Sequence, residues 1–221
     1  MSSGSIFPHP NLANEEGLLA AGGDLTVTTL LDAYSHGIFP WYSEGTPILW
    51  WSPDPRLVLY PSAFKISKSL KQKIKRNIYE VRTDTCFDEM IAKCAVVKRK
   101  HQPGTWITAE MKEAYCELHR HGYAHSFETY FDNRLVGGLY GVSLGRIFFG
   151  ESMFYTMTDA SKVALFYLVE TLKKWEFLLI DAQQSTSHMI SMGAEEIPRG
   201  KFLKQLELAL TFPTLSGKWK I

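Results

Sequence analysis

Apolar residues recur at helical spacing in several segments of the first half of the chain. In the string TVTTLLDAYSHG, Leu30, Leu31 and Tyr34 share one face, and Gly37 stands where a helix would end. Residues 67–76 predict an amphipathic helix, because apolar side chains repeat there every four residues. Two more helices are predicted, at residues 87–97 and, after a cap at Thr108, up to Gly122.

The second half of the chain changes to the pattern of a sheet. Three consecutive strands are predicted at residues 124–130, 134–142 and 146–150, with hairpin turns at Asp132-Asn133 and 143–145. A helix at 160–175, a buried strand at 177–180 and two helices at 185–192 and 199–210 follow. An earlier strand is predicted at 56–60, among Pro-rich turns.

This order of elements predicts an α+β fold with a mostly antiparallel sheet and packed helices, which resembles the plan of the GCN5-related acyltransferases. We expect a small N-terminal α/β domain, made of an irregular segment (1–63) and a basic helical region (64–104). A second domain (105–221) with the acyltransferase-like plan would follow it. No flexible linker marks the join near residue 105.

Composition limits the classes of protein that fit. The 221 residues are 45% hydrophobic and 21% charged, which suits a substantial core, and the formal net charge is +1. A nucleic acid would therefore meet a local basic patch rather than a basic protein. The start lacks the pattern of a secretory signal, no apolar run reaches about 18 residues, and the three cysteines form no CxxC pair. We expect a cytoplasmic monomer with no membrane span and no metal.

The string KISKSLKQKIKR, residues 65–76, carries six basic residues and no acidic one. Lys65, Lys68, Lys71 and Lys75 lie opposite the apolar stripe, and Arg76 follows them. Such a face suits contacts with the phosphates of a nucleic acid. An ordinary solvated helix face is the alternative, although mixed charges would be expected there.

Three tryptophans are candidates for stacking on unpaired bases: Trp50, Trp51 and Trp106. Trp50 and Trp51 are adjacent, so on a strand they face opposite ways. One of them can pack in the core while the other faces a cleft. Packing in the core or at an interface explains most tryptophans and is the alternative for all three.

Polar residues follow two apolar strands, in the strings IFFGES and FLLIDAQ. Glu151, Asp181 and Gln183 are expected to converge where these strands end. Asp181 and Gln183 are two residues apart, so both should point to one side of the strand, with Ala182 facing away. The alternative is that these residues cap the helices that follow, with Asp181 as an N-cap.

The ordered set of motifs resembles the bacterial leucyl/phenylalanyl-tRNA–protein transferase family. The strings are GLLAAGGDLT, YSHGIFPWY, ILWWSPDPR, GTWIT, GLYGVSLGRIFFGESMF, ASKVAL, LIDAQ and MGAEEIPR, and they extend in order from about residue 7 to 210. Individually each string says little, whereas the ordered set is highly specific.

The resemblance implies an enzyme without metal or coenzyme that moves Leu or Phe, and sometimes Met, from aminoacyl-tRNA to proteins beginning with Arg or Lys. The product would be marked for degradation through the N-degron pathway. The implied catalytic residues are Glu151, Asp181 and Gln183. The terminal adenosine would lie against Trp50 or Trp51 and Trp106, and the amino-acid side chain would enter a pocket including Met153, Leu165 and Leu139.

These residues support a hypothesis for the reaction. The aminoacyl ester is already activated, so orientation, a neutral amine and stabilisation of the oxyanion suffice. Asp181 would orient the amine and help accept its proton, Gln183 would donate a hydrogen bond near the carbonyl, and Glu151 would hold the network in place.

Two alternatives belong to other functional classes. An acetyltransferase that uses acetyl-CoA would need a Gly-rich turn for the pyrophosphate, and the stretch ESMFYTMTDASKVAL contains no glycine. A non-catalytic RNA-binding protein would use the basic helix and the tryptophans, but it would leave Glu151, Asp181 and Gln183 without a role.

Overall fold

Residues 5–97 and 107–221 are described by a computed structural model. In these two ranges the chain forms seven α-helices: α1 (Val27–Ser35), α2 (Lys68–Lys75), α3 (Phe87–Ala95), α4 (Ala109–Arg120), α5 (Ala160–Lys174), α6 (Ser187–Ser191) and α7 (Arg199–Leu210). The strands there are β1 (Leu18–Ala21), β2 (Phe39–Pro40), β3 (Leu49–Trp51), β4 (Arg56–Leu59), β5 (Glu80–Thr83), β6 (Ala124–Phe131), β7 (Arg134–Leu144), β8 (Ile147–Tyr155), β9 (Leu179–Gln183) and β10 (Glu195–Ile197).

Two sheets organise these elements, and the α+β class predicted from the sequence is confirmed. A small sheet has the strand order β1-β3-β2, and a large one has the order β10-β4-β9-β8-β7-β6-β5. Neighbouring strands of the large sheet are antiparallel except for the parallel pair β8 and β9.

Helices cover both faces of the large sheet. On one face, α1, α3, α4 and α7 pack against side chains such as Tyr140 and Phe149. On the other face, α2 and α5 pack against side chains such as Leu139 and Phe148. Successive strand residues point to opposite faces, so adjacent Phe148 and Phe149 belong to different cores.

The helix boundaries follow local signals in the sequence. The side chains of Thr26, Ser67 and Thr108 cap α1, α2 and α4, each accepting a hydrogen bond from the backbone N–H three residues later. At the predicted hairpin turn, Asp132 and Asn133 have φ angles of 48° and 58°, as a two-residue hairpin turn with both central residues at positive φ requires. These helices and this turn are confirmed.

Several strand boundaries differ from the sequence prediction. Strand β7 continues to Leu144, so the second hairpin turn lies at residues 145–146 instead of the predicted 143–145. Strand β8 continues to Tyr155 instead of ending at residue 150, so Glu151 lies within a strand. Strand β9 begins at Leu179 and includes Asp181, so the alternative in which Asp181 caps the next helix is wrong; Thr186 caps that helix. Pairing with neighbouring strands extends β8 and β9 beyond their apolar runs.

The large sheet takes strands from both sides of the join predicted near residue 105. Strands β4 and β5 precede that join, and β6 to β10 follow it. The division into residues 1–63, 64–104 and 105–221 stays a prediction. Across the two described ranges, no helix combines the length and apolarity needed to cross a membrane.

Candidate functional site

A cavity of about 750 Å³ opens where the parallel strands β8 and β9 separate. Their last paired residues are Phe149 and Asp181. Beyond this pair, Gly150 to Met153 of β8 form one wall of the cavity, and Ala182 to Thr186 form another. The end of a parallel pair is a place where sheets present backbone and side chains to ligands.

One part of the cavity is an apolar slot. Its lining side chains come from β7, β8, β9 and α5, and they are Leu139, Phe148, Met153, Leu165, Leu168 and Ile180. The structure thus places the three residues predicted for an amino-acid pocket, Leu139, Met153 and Leu165, on one cavity. Leu139 and Met153 are direct partners across β7 and β8. Whether they bind an amino acid stays a prediction.

The polar part of the cavity is centred on the carboxyl group of Glu151. Tyr34 on α1 donates a hydrogen bond of 2.7 Å to its Oε1, and Tyr115 on α4 donates one of 3.1 Å to its Oε2. The side-chain amide of Gln183 donates a third, of 2.8 Å, to Oε1. The sequence prediction therefore brought together Glu151 and Gln183 correctly, but it missed both tyrosines.

A β-bulge sets the direction of Glu151. Gly141 of β7 pairs with Gly150, and Tyr140 pairs with Ser152, so Glu151 is the extra residue on β8. An extra residue breaks the alternation of a strand and re-aims the side chain. The carboxyl group can therefore face the cavity and meet the phenols of α1 and α4.

The surroundings of Glu151 shift its ionisation toward neutrality. Burial raises the pKa of Glu151 to about 7, although the bonds from Tyr34, Tyr115 and Gln183 oppose that change. The pKa values of Tyr34 and Tyr115 are raised well above 10, first by burial and then by the adjacent Glu151. Both phenols therefore remain protonated donors near neutral pH.

Asp181 is close to this site in sequence but does not line the cavity. Its side chain is fully buried and accepts hydrogen bonds of 2.8 and 2.6 Å from Arg56. Its Oδ1 also accepts a bond of 2.9 Å from the backbone N–H of Gln183. The predicted convergence thus holds for Glu151 and Gln183, whereas Asp181 contacts Gln183 from the other side.

The prediction that Asp181 and Gln183 share one side, with Ala182 facing away, is wrong. Ala182 and Gln183 both line the cavity. Two features break the alternation: Leu57 and Val58 of β4 face Gln183 and Asp181 with Ala182 as an extra residue, and Gln183 has a φ of 61°. Sequence spacing assumes a regular strand and cannot reveal either feature.

The structure also changes which tryptophan faces the cavity. Trp50 is buried and donates to the carbonyl of Gly22, and Trp51 donates to the carbonyl of Trp41; neither lines the cavity. Trp41 lines it and packs on Trp51 with ring centroids 5.7 Å apart. The Pro40-Trp41 pair was visible in the sequence, but nothing local distinguished it from the other aromatics. Trp106 lies outside the described residues.

The predicted basic face forms on the exposed side of α2. Lys65, Lys68, Lys71, Lys75 and Arg76 are exposed, and none makes an ion pair within the part of the chain that the structure describes. Lys73 differs, because it binds Asp159 at 2.6 Å. Helix α2 packs in the same core as α5, the helix that supplies Leu165 and Leu168 to the cavity.

Few charged side chains line the cavity among the residues described, and Lys162 lies near its lining residue His188. The lining contains no Lys or Arg, and its titratable side chains are those of Glu151, Tyr140 and His188. Burial lowers the pKa of His188. Ser185, another lining residue, donates to the exposed carboxylate of Glu196 on β10.

Together these groups suit acyl transfer to an amine. The slot accepts an apolar side chain, and the carboxyl of Glu151 is able to exchange a proton near neutral pH. The helix N-terminus of α5, where acetyl-CoA enzymes hold pyrophosphate, instead carries Asp159, which binds Lys73 and Lys162. The geometry therefore favours an apolar acyl group in this cavity over a CoA pyrophosphate at α5.

Comparison with known proteins identifies one family. The family model of the leucyl/phenylalanyl-tRNA protein transferases matches residues 58–207, and that of their N-terminal domain matches residues 23–54. A leucyl/phenylalanyl-tRNA–protein transferase of Desulfatibacillum aliphaticivorans is 54% identical over 100% of this chain and 95% of its own length. One of Legionella pneumophila (strain Corby) is 51% identical over 99% of this chain and 98% of its own.

Similarity to solved structures is weaker. An aminoglycoside N-acetyltransferase in complex with CoA superposes with a TM-score of 0.34 and 11% identity, covering 65% of this chain and 91% of the other.

Proposed function

We propose, because this chain belongs to the leucyl/phenylalanyl-tRNA protein transferase family, that it joins Leu or Phe from aminoacyl-tRNA to proteins whose first residue is Arg or Lys. The observation that carries the proposal is a cavity in which an apolar slot adjoins the Glu151–Gln183 pair. The product would carry a bulky apolar first residue and enter degradation. We place this activity in the cytoplasm and in a monomer.

The slot explains the choice of donor. Leu and Phe are bulky and unbranched at Cβ, and a pocket lined partly by Met153 adapts to both shapes. A β-branched side chain such as that of Val or Ile would place its branch at the polar end, beside Glu151, rather than in the apolar slot. Met is unbranched and fits the same slot, so it is a third donor of the proposed series.

Glu151 is the proton acceptor of the proposed reaction. The neutral α-amine attacks the ester carbonyl carbon, a C–N bond forms, and the nitrogen loses one proton to the Glu151 carboxylate. The ester C–O bond then breaks, and the ribose oxygen leaves with that proton. Gln183 keeps the carboxylate in place through its amide. This assignment gives to Glu151 the role that the sequence hypothesis gave to Asp181, because Glu151 lines the cavity.

The tRNA would be bound at two places. Trp41 offers an indole face at the cavity for the terminal adenine, and Trp106 stays a second candidate. The basic face of α2, with Lys65, Lys68, Lys71, Lys75 and Arg76, would contact phosphates further along the tRNA. Since α2 and α5 share a core, both sites would be held in a fixed relation.

The positive first residue of the acceptor would be bound at the rim beside Ser185. Glu196 supplies an exposed carboxylate there, and no Lys or Arg lines the cavity among the described residues. A guanidinium or ammonium group would gain a charge-assisted hydrogen bond from this carboxylate.

A transfer experiment tests the proposal. The chain is incubated with labelled Leu-tRNA, Phe-tRNA or Val-tRNA and with peptides that begin with Arg, Lys, citrulline or acetylated Arg. We expect product from Leu-tRNA and Phe-tRNA with the Arg and Lys peptides. We expect little product from Val-tRNA, from the citrulline peptide, which lacks the positive charge, or from the acetylated peptide, whose amine is blocked.

A matched variant locates the acceptor site. Glu196→Gln should raise the KM for the Arg peptide about tenfold and leave the KM for Leu-tRNA unchanged, since one charge-assisted hydrogen bond is worth about 1.5 kcal/mol or more. Equal transfer to the Arg and citrulline peptides would contradict the proposal that the acceptor is recognised by its positive charge. Transfer to neither peptide would contradict the proposed transferase function as a whole.

A further inference from the structure

A fully buried ion pair lies directly behind the cavity. The Arg56 guanidinium donates from Nε to Oδ1 of Asp181 at 2.8 Å and from Nη2 to Oδ2 at 2.6 Å. The two side chains are 1% and 0% exposed. The guanidinium also lies between the rings of Phe39 and Phe202, at 4.8 and 4.6 Å from their centroids.

The Asp181 carboxylate connects this pair to the cavity. Its Oδ1 accepts the backbone N–H of Gln183 at 2.9 Å, and Gln183 has a φ of 61°. A non-glycine residue adopts this left-handed conformation only where its surroundings hold it there. In this conformation the Gln183 amide reaches Oε1 of Glu151 at 2.8 Å.

We propose that Arg56 is a positioning residue of the transfer reaction: it fixes Asp181, which holds Gln183 left-handed with its amide on Glu151. Of the four residues in this chain of contacts, Glu151 and Gln183 line the cavity, whereas Arg56 and Asp181 do not. The inference rests on the roles proposed above for Glu151 and Gln183. Asp181 acts through Gln183 and takes no proton from the amine.

Physical chemistry separates this role from a purely structural one. Replacing a buried ion pair with apolar residues of similar size is often neutral or stabilising, so a fold rarely needs such a pair for stability alone. The two parallel bonds and the stacking between two rings require a planar guanidinium. A lysine would keep the charge and lose this geometry.

A double-mutant comparison tests the proposal without leaving a charge unpaired in the core. Four proteins are compared in the transfer assay at saturating Leu-tRNA and Arg peptide: wild type, Gln183→Ala, Arg56→Met with Asp181→Leu, and the combination of all three substitutions. We expect the Arg56/Asp181 variant to unfold at a temperature close to that of wild type, with kcat lowered about 30-fold or more and both KM values within threefold.

The decisive measurement is the effect of the same pair of substitutions when Gln183 is already Ala. If Arg56 and Asp181 act through Gln183, kcat should fall no further than threefold in that background. Two results would overturn the proposal. One is that the Arg56 and Asp181 substitutions lower kcat as much in the Gln183→Ala protein as in wild type. The other is that, with Gln183 intact, they leave kcat within threefold of wild type.

Two further variants keep the proposal testable if the apolar pair does not fold. Arg56→Lys retains the charge and should still lower kcat about tenfold, and an unchanged kcat would refute the proposal. Asp181→Asn retains an acceptor for the Gln183 N–H and should keep an acidic limb, moved to lower pH because the charge of Asp181 helps to raise the pKa of Glu151. Loss of the acidic limb in Asp181→Asn would show that Asp181 takes the proton. Failure of wild type to transfer at all would instead refute the proposed function.

Discussion

The surroundings of Glu151 bring its pKa close to neutral pH, so its carboxyl group can gain or lose a proton there. Three donors favour its carboxylate form, while burial raises its pKa to about 7. General bases work best when their pKa lies close to the pH of the reaction. The residue would therefore suit the proposed reaction, in which the amine is only partly neutral.

The rate should follow the ionisation of Glu151. We expect kcat/KM of wild type to fall as the pH drops below about 7, because a protonated carboxyl cannot accept the amine's proton. Glu151→Gln should lower the rate roughly 10²–10⁴-fold and keep only the limb set by the peptide amine. Single-turnover transfer between pH 5.5 and 8.5 measures both limbs, and a fall in rate toward acid pH that is as steep in the variant as in wild type would contradict this role.

Glu151 should also make stability depend on pH. Its pKa in the folded protein is above the ordinary value of 4.5, so between about pH 4.5 and 7 the folded state holds a proton that the unfolded state has lost. The free energy of unfolding, relative to Glu151→Gln, should therefore fall by roughly 1–3 kcal/mol from pH 5 to pH 8. Urea unfolding of both proteins at the two pH values tests this, and a constant difference would contradict it.

At the scale of single elements, the bulge in β8 is what turns a strand residue into a site residue. Gly141 and Gly150 are partners at this bulge, but they differ in the space around them. A Cβ on Gly141 would lie 2.1 Å from the backbone carbonyl oxygen of Phe149. A Cβ on Gly150 would have as its nearest neighbour the backbone carbonyl oxygen of Asp181, at 3.6 Å.

This pair of glycines gives a matched test. Gly141→Ala should lower the free energy of unfolding by roughly 1–3 kcal/mol and reduce kcat, because the backbone of the bulge must move and Glu151 moves with it. Gly150→Ala should change stability by only about 0.5 kcal/mol. Thermal unfolding and the transfer assay on both variants measure these effects, and equal stability of the two would show that the bulge tolerates displacement.

Helix α2 presents its charge to solvent because its apolar stripe is buried. Leu70 is buried against the core shared with α5, which leaves Lys68, Lys71 and Lys75 on the exposed side. A positively charged face without acidic partners attracts polyanions such as nucleic acids, and this attraction weakens as the salt concentration rises.

Replacing these three lysines with Gln should weaken tRNA binding and flatten its salt dependence. Each lost phosphate contact should reduce the slope of log K against log salt by about 0.7–0.9. The matched control replaces Lys201 and Lys204, exposed residues of α7 on the opposite face of the sheet. Filter binding of tRNA from 50 to about 200 mM salt measures both, and equal slopes for the two variants would contradict a role for α2.

At the scale of the whole molecule, the site is assembled from distant parts of the chain. Tyr34 and Tyr115 approach Glu151 from α1 and α4, and Trp41 follows β2 of the small sheet. The C-terminal segment packs in the core on the face of the sheet covered by α5, where Trp219 joins Phe148. Trp219 stacks on His125 at 3.8 Å, and its backbone N–H donates to Asp84 at 2.8 Å.

Removing this tryptophan should affect stability far more than catalysis. Trp219 is 4% exposed, so Trp219→Ala should cost roughly 3–5 kcal/mol of unfolding free energy, while the kcat of the folded fraction stays within about fivefold of wild type. Deletion of the exposed Lys220 and Ile221 is the control and should be nearly neutral. Urea unfolding with parallel transfer assays tests both, and a kcat loss matching that of Glu151→Gln would place Trp219 in the catalytic site.

The sequence by itself determined the features that depend on near neighbours. The side chains of Thr26, Ser67 and Thr108 cap their helices within three residues, and Asp132-Asn133 adopts its turn locally. The apolar repeat of α2 predicted which side is buried and therefore that its lysines form an exposed basic face. The ordered motifs indicated the family without any knowledge of the fold.

Only the tertiary structure decided which side chains meet in the cavity. Trp41 faces it instead of Trp50 or Trp51, and Asp181 turns away from it toward Arg56. The physical reason is that a side chain's direction on a strand depends on register, and two bulges and the left-handed Gln183 alter that register here. Those irregularities arise from pairing with strands and packing against helices far away in sequence, so no local spacing of residues could specify them.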